Sequence, residues 1–180
     1  MRSTLKFLLA LVVALLLMLA FRSLVFTIYT VEGSALEREF LAGDRVMVNR
    51  WSYGLRTGGE GLFSYGRLMR RPIARGDLVA FEDPTDVNRN RVLICECAAV
   101  PGDTILVDGR VTEVPGLQNC SDTDYYWMRS LNDDNPLDSR YFGFVPELCI
   151  IGRAFLIVYS IDPQQPLLKG WRQDRLLLLK

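Results

Sequence analysis

No histidine occurs anywhere in the 180 residues. That absence removes every mechanism with an imidazole base and every metal site with a histidine ligand. Lysine is nearly as scarce, with Lys6, Lys169 and Lys180 the three in the chain. Charge of one sign is not in excess either, since Lys+Arg and Asp+Glu are 21 each. A balanced chain has no bulk attraction to a polyanion, so no nucleic acid is expected as a partner. No internal repeat and no low-complexity linker breaks the sequence. Cysteine is sparse, at Cys95, Cys97, Cys120 and Cys149. Cys95 and Cys97 stand two apart, so on a strand they share a face and pair poorly with each other. Zinc is a weak alternative, because C-x-C is not the usual ligand spacing and no histidine assists. The plainer reading is small buried hydrophobes. Neither a metal nor any other cofactor is expected.

A long apolar run is what the N-terminus does have. Arg2 and Lys6 precede residues 7–21, an unbroken stretch (FLLALVVALLLMLAF). Fifteen residues at about 1.5 Å each fall short of a hydrocarbon core of about 30 Å. Leu24, Val25 and Phe26 extend the run to about 20 residues if Arg22 reaches back to the headgroups. The small residues of a cleavage site are missing after the run, which favours a retained anchor over a removed signal. Arg2 and Lys6 place the N-terminus in the cytoplasm, although Arg22 on the other flank weakens that signal. The expected organisation is a cytoplasmic tip and transmembrane anchor over residues 1–29, then a domain over residues 30–180 outside the cytoplasm. Membrane lipids are then obligatory partners, and the location is an inner or plasma membrane crossed once.

Beyond the anchor the pattern is that of strands. Residues 45–49 (RVMVN) follow a Gly43-Asp44 turn, and residues 78–81 (LVAF) follow Arg75-Gly76-Asp77. Residues 91–97 (RVLICEC) end near Pro101-Gly102-Asp103. Residues 104–111 (TILVDGRV) place two β-rich arms around Asp108-Gly109, a type I′ hairpin signal. Residues 154–161 (AFLIVYSI) add another strand. Residues 51–75 read as a long irregular excursion with a basic cluster at Arg67, Arg70, Arg71 and Arg75. Such a cluster is usually a solvated face, and on a tethered domain it can also meet anionic lipid. The C-terminal residues 167–180 (LLKGWRQDRLLLLK) read as a last strand or helix packed on the domain. Alternation with period two supports an all-β domain.

Four blocks in order carry a resemblance. Residues 31–56 end in GDRVMVNRWSYGLR, and residues 75–81 read RGDLVAF. Residues 93–103 read LICECAAVPGD, and residues 132–146 end in LDSRYFGFVP. Behind an apolar anchor these resemble the signal peptidase I family. The resemblance implies an N-terminal single transmembrane helix followed by a β domain of twisted, partly barrel-like antiparallel sheets. It also implies a Ser nucleophile activated by a neutral Lys base, with hydroxyl and backbone N–H donors holding the oxyanion.

Carried over residue by residue, the chemistry does not follow. Counting back from Gly43-Asp44 without a gap puts Ala35 at the nucleophile, with Gly33 where an oxyanion-assisting Ser would stand. A one-residue insertion would make Ser34 the nucleophile instead. Counting back from Pro101-Gly102-Asp103 puts Cys95 at the general base. Asp138, Ser139 and Arg140 match the family's supporting residues, while the Ser just before them becomes Pro136. Loss of one nucleophile or base typically costs several orders of magnitude in rate. Three functions stay open. One is a pseudoprotease of the secretion pathway that binds signal-peptide segments or an active paralogue. The second is an active serine-type endopeptidase using Ser34 and an unconventional base. The third is a membrane-anchored structural β domain.

Overall fold

The computed structural model describes residues 2–31, 40–41, 43–58, 64–86, 91–107, 109–119, 121–131, 137–162, 165, 170–172 and 177–179. The chain opens with one helix, α1 (Arg2–Val25). Leu, Val, Met and Phe dominate it, and no Pro or Gly interrupts its hydrogen-bond ladder. From Leu5 through Phe7, Leu11 and Leu15 to Leu19 its large apolar side chains are exposed, while Val25 at its end is half-buried. The side chains described on it are those of residues 4–19 and 25, and among the described residues no helix is long and apolar enough to cross a membrane.

At Phe26 the chain turns directly into sheet. Strand β1 (Phe26–Thr30) pairs antiparallel with β2 (Asp44–Asn49), Phe26 opposite Asn49 and Thr30 opposite Arg45. Gly43 takes φ +93° just before β2, a value that favours glycine, and so makes the turn into that strand. The excursion that follows is not wholly irregular. It contains a small hairpin of β3 (Leu55–Thr57) and β4 (Gly66–Leu68). Three-residue strands carry too little alternation to be read from sequence. Next come β5 (Leu78–Glu82), β6 (Val92–Ala99), β7 (Thr104–Val107) and β8 (Arg110–Glu113). The expected hairpin pairs β7 with β8, and Gly109 has the positive φ its turn needs; Asp108 lies outside the described residues. The remaining elements are β9 (Tyr125–Arg129), a single helical turn α2 (Ser139–Phe142), β10 (Val145–Pro146), β11 (Ile150–Ile161), β12 (Trp171–Arg172) and β13 (Leu177–Leu178).

Among the described residues the main sheet runs β1-β2-β11-β5-β6-β9-β10, with β12 and β13 also on β11. It is antiparallel and curls into a half-barrel, so the domain is all-β. Register shifts along β11, between Ala154 and Leu156 and between Ile157 and Tyr159, add the local twist that bends it. The C-terminal segment packs as strands, with Trp171 stacked on Tyr159 at 5.7 Å.

Each face of the sheet has its own core. Val46, Val48, Ala80, Ile94, Ala154 and Ile157 fill one. Val79, Phe81, Cys95, Cys97, Met128 and Ile150 fill the other. Strand β5 is buried at all five positions because its alternate side chains enter both cores. That is why LVAF is a continuous apolar run rather than an alternating one.

Candidate functional site

Strand β6 carries Cys95 into the second core. Cys95 faces Val79 across the β5–β6 ladder and is 2% exposed. Its Sγ–H points at the carbonyl oxygen of Leu137, 3.7 Å away. Cys97, two residues on, enters the same cluster and is fully buried. Both are free thiols. Cys149 is buried as well, so the expectation of cysteines as small core residues holds for these three; Cys120 lies outside the described residues.

Burial governs the acidity of these thiols. A thiolate at Cys95 would lose its hydration and would also feel the negative charge of Asp138, so the thiol is pushed far above its ordinary range. Cys97 is pushed up to about 12 by burial, with Asp77 and Asp103 adding to the shift. A thiol protonated throughout the neutral range is neither a nucleophile nor a proton acceptor.

The segment that meets Cys95 is a polar corner built with care for every donor. Asp138 is fully buried and caps α2, accepting from the Arg140 backbone N–H at 2.9 Å. Its other oxygen accepts from the Ser130 N–H at 2.9 Å, which ties the corner to the end of β9. The Arg140 guanidinium folds back onto both oxygens, at 2.9 to 3.1 Å. Burial alone would raise the Asp138 pKa, but these donors outweigh it and hold the carboxyl below its usual range. Ser139 is buried and its Oγ accepts from the Met128 N–H at 2.8 Å, a second tie to β9.

The fold thus brings together Cys95, Asp138, Ser139 and Arg140. Gly33, Ser34, Ala35 and Pro136 lie outside the described residues. The residues that sequence reasoning did not single out are Leu137, Ser130 and Met128. All three act through main-chain groups, which leave no mark on side-chain identity. Three residues of the basic cluster, Arg70, Arg71 and Arg75, are exposed as a solvated face requires, and the fourth turns inward. The Arg67 side chain is buried and bonded to the carbonyl oxygens of Gly54, Glu147 and Ile150. Arg70 pairs with Glu147 and Asp124, and Arg75 with Asp103. Among the described residues Arg71 alone of the four makes no ion pair.

One row of the sheet sets the position of this site. Phe26, Asn49, Arg153, Val79 and Cys95 are successive cross-strand partners from β1 to β6. At about 4.8 Å per strand, Cys95 lies roughly 19 Å across the sheet from the end of α1, at the same level along the strands.

An all-β domain behind an apolar helix, with an Asp-Ser-Arg corner packed on a strand that ends near a Pro-Gly-Asp turn, agrees with the family resemblance of the four sequence blocks. Residues 4–119 and 108–159 match the family described as signal peptidase, peptidase S26, and the chain belongs to that family. Signal peptidase I of Aquifex aeolicus is 28% identical, the match covering 73% of this chain and 75% of that protein. A probable signal peptidase I-2 of Synechocystis is 26% identical, covering 83% of this chain and 71% of its own length. Mitochondrial inner membrane protease subunit 1 of Mus musculus is 32% identical over half of this chain and 52% of that protein.

Proposed function

We propose that this protein is a signal-peptidase-like binding protein that lacks signal-peptide cleavage. The observation that carries this reading is the burial of Cys95, the residue at the expected base position, against the Leu137 carbonyl. A neutral amine there would accept a proton from a hydroxyl. A thiol held above its ordinary range, with only the Leu137 carbonyl to bond, does not. This argues equally against Ser34 and against any other hydroxyl that would rely on Cys95. The ungapped register puts Ala35 at the nucleophile position, and alanine has no attacking group.

Binding does not need those groups. Strand β1 leaves one edge unpaired among the described residues, and the chain runs from it towards Gly33, Ser34 and Ala35. An extended signal-peptide segment adds to such an edge through main-chain hydrogen bonds. The helix supports a membrane location. α1 is 24 residues, about 36 Å as a helix, of which residues 4–19 and 25 have described side chains. Its exposed Leu, Val and Phe side chains need an apolar medium to cover them. In this reading residues 1–29 form the tip and anchor, with the N-terminus cytoplasmic, and residues 30–180 lie on the far side, next to emerging signal peptides and to any active paralogue.

The test is incubation of the purified full chain with a pre-protein in detergent, as wild type, as Ser34→Ala and as the double change Ala35→Ser with Cys95→Lys. The expected result is no cleavage by wild type together with photo-crosslinking of a signal peptide to it. Robust wild-type cleavage that Ser34→Ala abolishes would make the protein an enzyme and overturn the proposal. Absence of both cleavage and crosslinking would leave the structural β domain.

A further inference from the structure

A cleft of about 690 Å³ opens on the face of the sheet that carries Cys95, lined by Asn49, Tyr53, Arg71, Asp77, Arg153 and Phe155. We propose that it is a binding site for a phosphate-bearing anion, and that the headgroup of an acidic phospholipid supplies it. The choice of a lipid source rests on the reading of α1 as a membrane-spanning helix.

Charge and donor inventory point to an anion. The cleft has two guanidinium groups and one carboxylate. That carboxylate is already engaged. Asp77 Oδ2 accepts from the Tyr53 hydroxyl and from the Ala74 N–H, both at 3.1 Å, and Oδ1 lies 3.3 Å from Arg153. Nothing comparable meets Arg71, which is exposed and makes no ion pair among the described residues. Its backbone N–H donates to the Tyr53 carbonyl at 3.2 Å, which fixes it at the cleft wall. Asn49 uses its Oδ1 to accept from the Trp51 N–H at 2.9 Å, leaving its Nδ2 to donate. An uncommitted guanidinium, an amide donor and a half-exposed second guanidinium suit the oxygens of a phosphate. A volume of this size also takes the glycerol beyond the phosphate. Phe155 and Leu179 make an apolar wall on which the first acyl methylenes can lie.

Position selects the source. Asn49 pairs with Phe26, the first residue after α1, and Arg153 pairs with Asn49. The Phe26 and Phe155 rings are 5.8 Å apart, and the Arg50 N–H donates to the Val25 carbonyl at 3.0 Å. The cleft therefore opens where the helix ends, which for a spanning helix is the level of the lipid phosphates. Acidic lipids attract Lys and Arg at that level.

The test titrates the full-length protein in an uncharged detergent with dihexanoyl phosphatidylglycerol, dihexanoyl phosphatidylcholine and inorganic phosphate, read by isothermal calorimetry. Phosphatidylglycerol is expected to bind about tenfold tighter than phosphatidylcholine, and Arg71→Ala to lose about that tenfold, as for removal of one charge-assisted contact. Arg71 is exposed, so the variant should melt as wild type does, and Arg71→Lys should restore part of the binding. Inorganic phosphate binding as tightly as phosphatidylglycerol, with the same Arg71 dependence, would keep the anion site and overturn the lipid as its source. No preference for phosphatidylglycerol, or one that Arg71→Ala leaves unchanged, would overturn the site itself. Carbonate extraction of membranes reports separately on α1. A chain extracted as a soluble protein that still binds phosphate through Arg71 would refute the membrane reading and not the anion site.

Discussion

The Asp138 corner and the Cys95 position touch each other, yet they are built on opposite principles. At the corner every oxygen of a buried carboxylate has a donor, and two of those donors come from Ser130, the residue after strand β9, and from helix α2. At Cys95 a single weak S–H contact is the hydrogen bonding found among the described residues, and the nearby Asp138 charge only opposes ionisation. The difference shows what each group does for the fold. Asp138 is a helix cap, a strand clamp and an ion-pair partner at once, so the fold depends on it whether or not the site reacts. A lysine at position 95 would have to be buried and kept neutral, which costs stability and is justified only by chemistry. A thiol at that place packs with Val79 and Met128 at no such cost.

The sharpest way to break this comparison is to truncate both members. Asp138→Ala should destabilise the domain by about 3 kcal/mol, since it removes the α2 cap and the carboxylate that accepts from the buried Ser130 N–H. Cys95→Ala should cost about 1 kcal/mol, the loss of one buried sulfur. Urea unfolding of the two variants measures both, and equal costs would erase the distinction. Ser139→Ala tests the second tie of the corner. It should cost about 1.5 kcal/mol because the Met128 N–H loses its partner, and Ser139→Thr should not restore it fully in so tight a site.

Smaller effects come from pH. Cys95 and Cys97 have raised pKa values in the folded state, and the unfolded thiol titrates near 9.0. Their contribution is fully present below that pH. It declines as pH rises above 9, because the unfolded chain ionises first, and is lost by about 12 for Cys97. Urea midpoints between pH 7 and pH 10.5 should fall, and the double change Cys95→Ala with Cys97→Ala should flatten the decline. In the native state Cys95 should also resist alkylation at pH 8 by at least about a hundredfold relative to the unfolded chain. At the acid end Asp138 behaves in the opposite sense. Its folded pKa is lowered, so its contribution is present above the unfolded value of 3.8 and fades as pH falls below it. Asp138→Asn should remove that acid limb, and a variant that kept it would assign the limb to another carboxylate.

Much of the fold was legible where strands have a strong period or clear punctuation. Residues 45–49 alternate, and β2 buries every second side chain as that pattern requires. The LVAF run and the RVLICEC run became β5 and β6 with ends moved by one or two residues. Strand β9 (YYWMR) was not read, because five large residues without alternation or flanking glycine carry no period. Strands β3, β4, β10, β12 and β13 are two or three residues long and exist only because a neighbour offers a ladder. At the site, Asp138 and Arg140 were readable as a pair from their side chains. The clamp on Ser130 was not, because its donor is a main-chain N–H.

By itself the sequence determined which chemistries are closed to this protein and which elements it would form. No histidine, three lysines and a cysteine eight residues before Asp103 decide the inventory of proton acceptors before any folding occurs. Only the tertiary structure decided the state of what remained. Burial between β5, β9 and the Leu137 segment pushes the Cys95 thiol above its ordinary range, and pairing with Asp103, Asp124 and Glu147 leaves Arg71, among the described residues, as the uncommitted cation of its cluster. Charge and acidity depend on which groups are brought within a few ångströms of one another and how far from water, and that is a property of the packed sheet rather than of the order of residues.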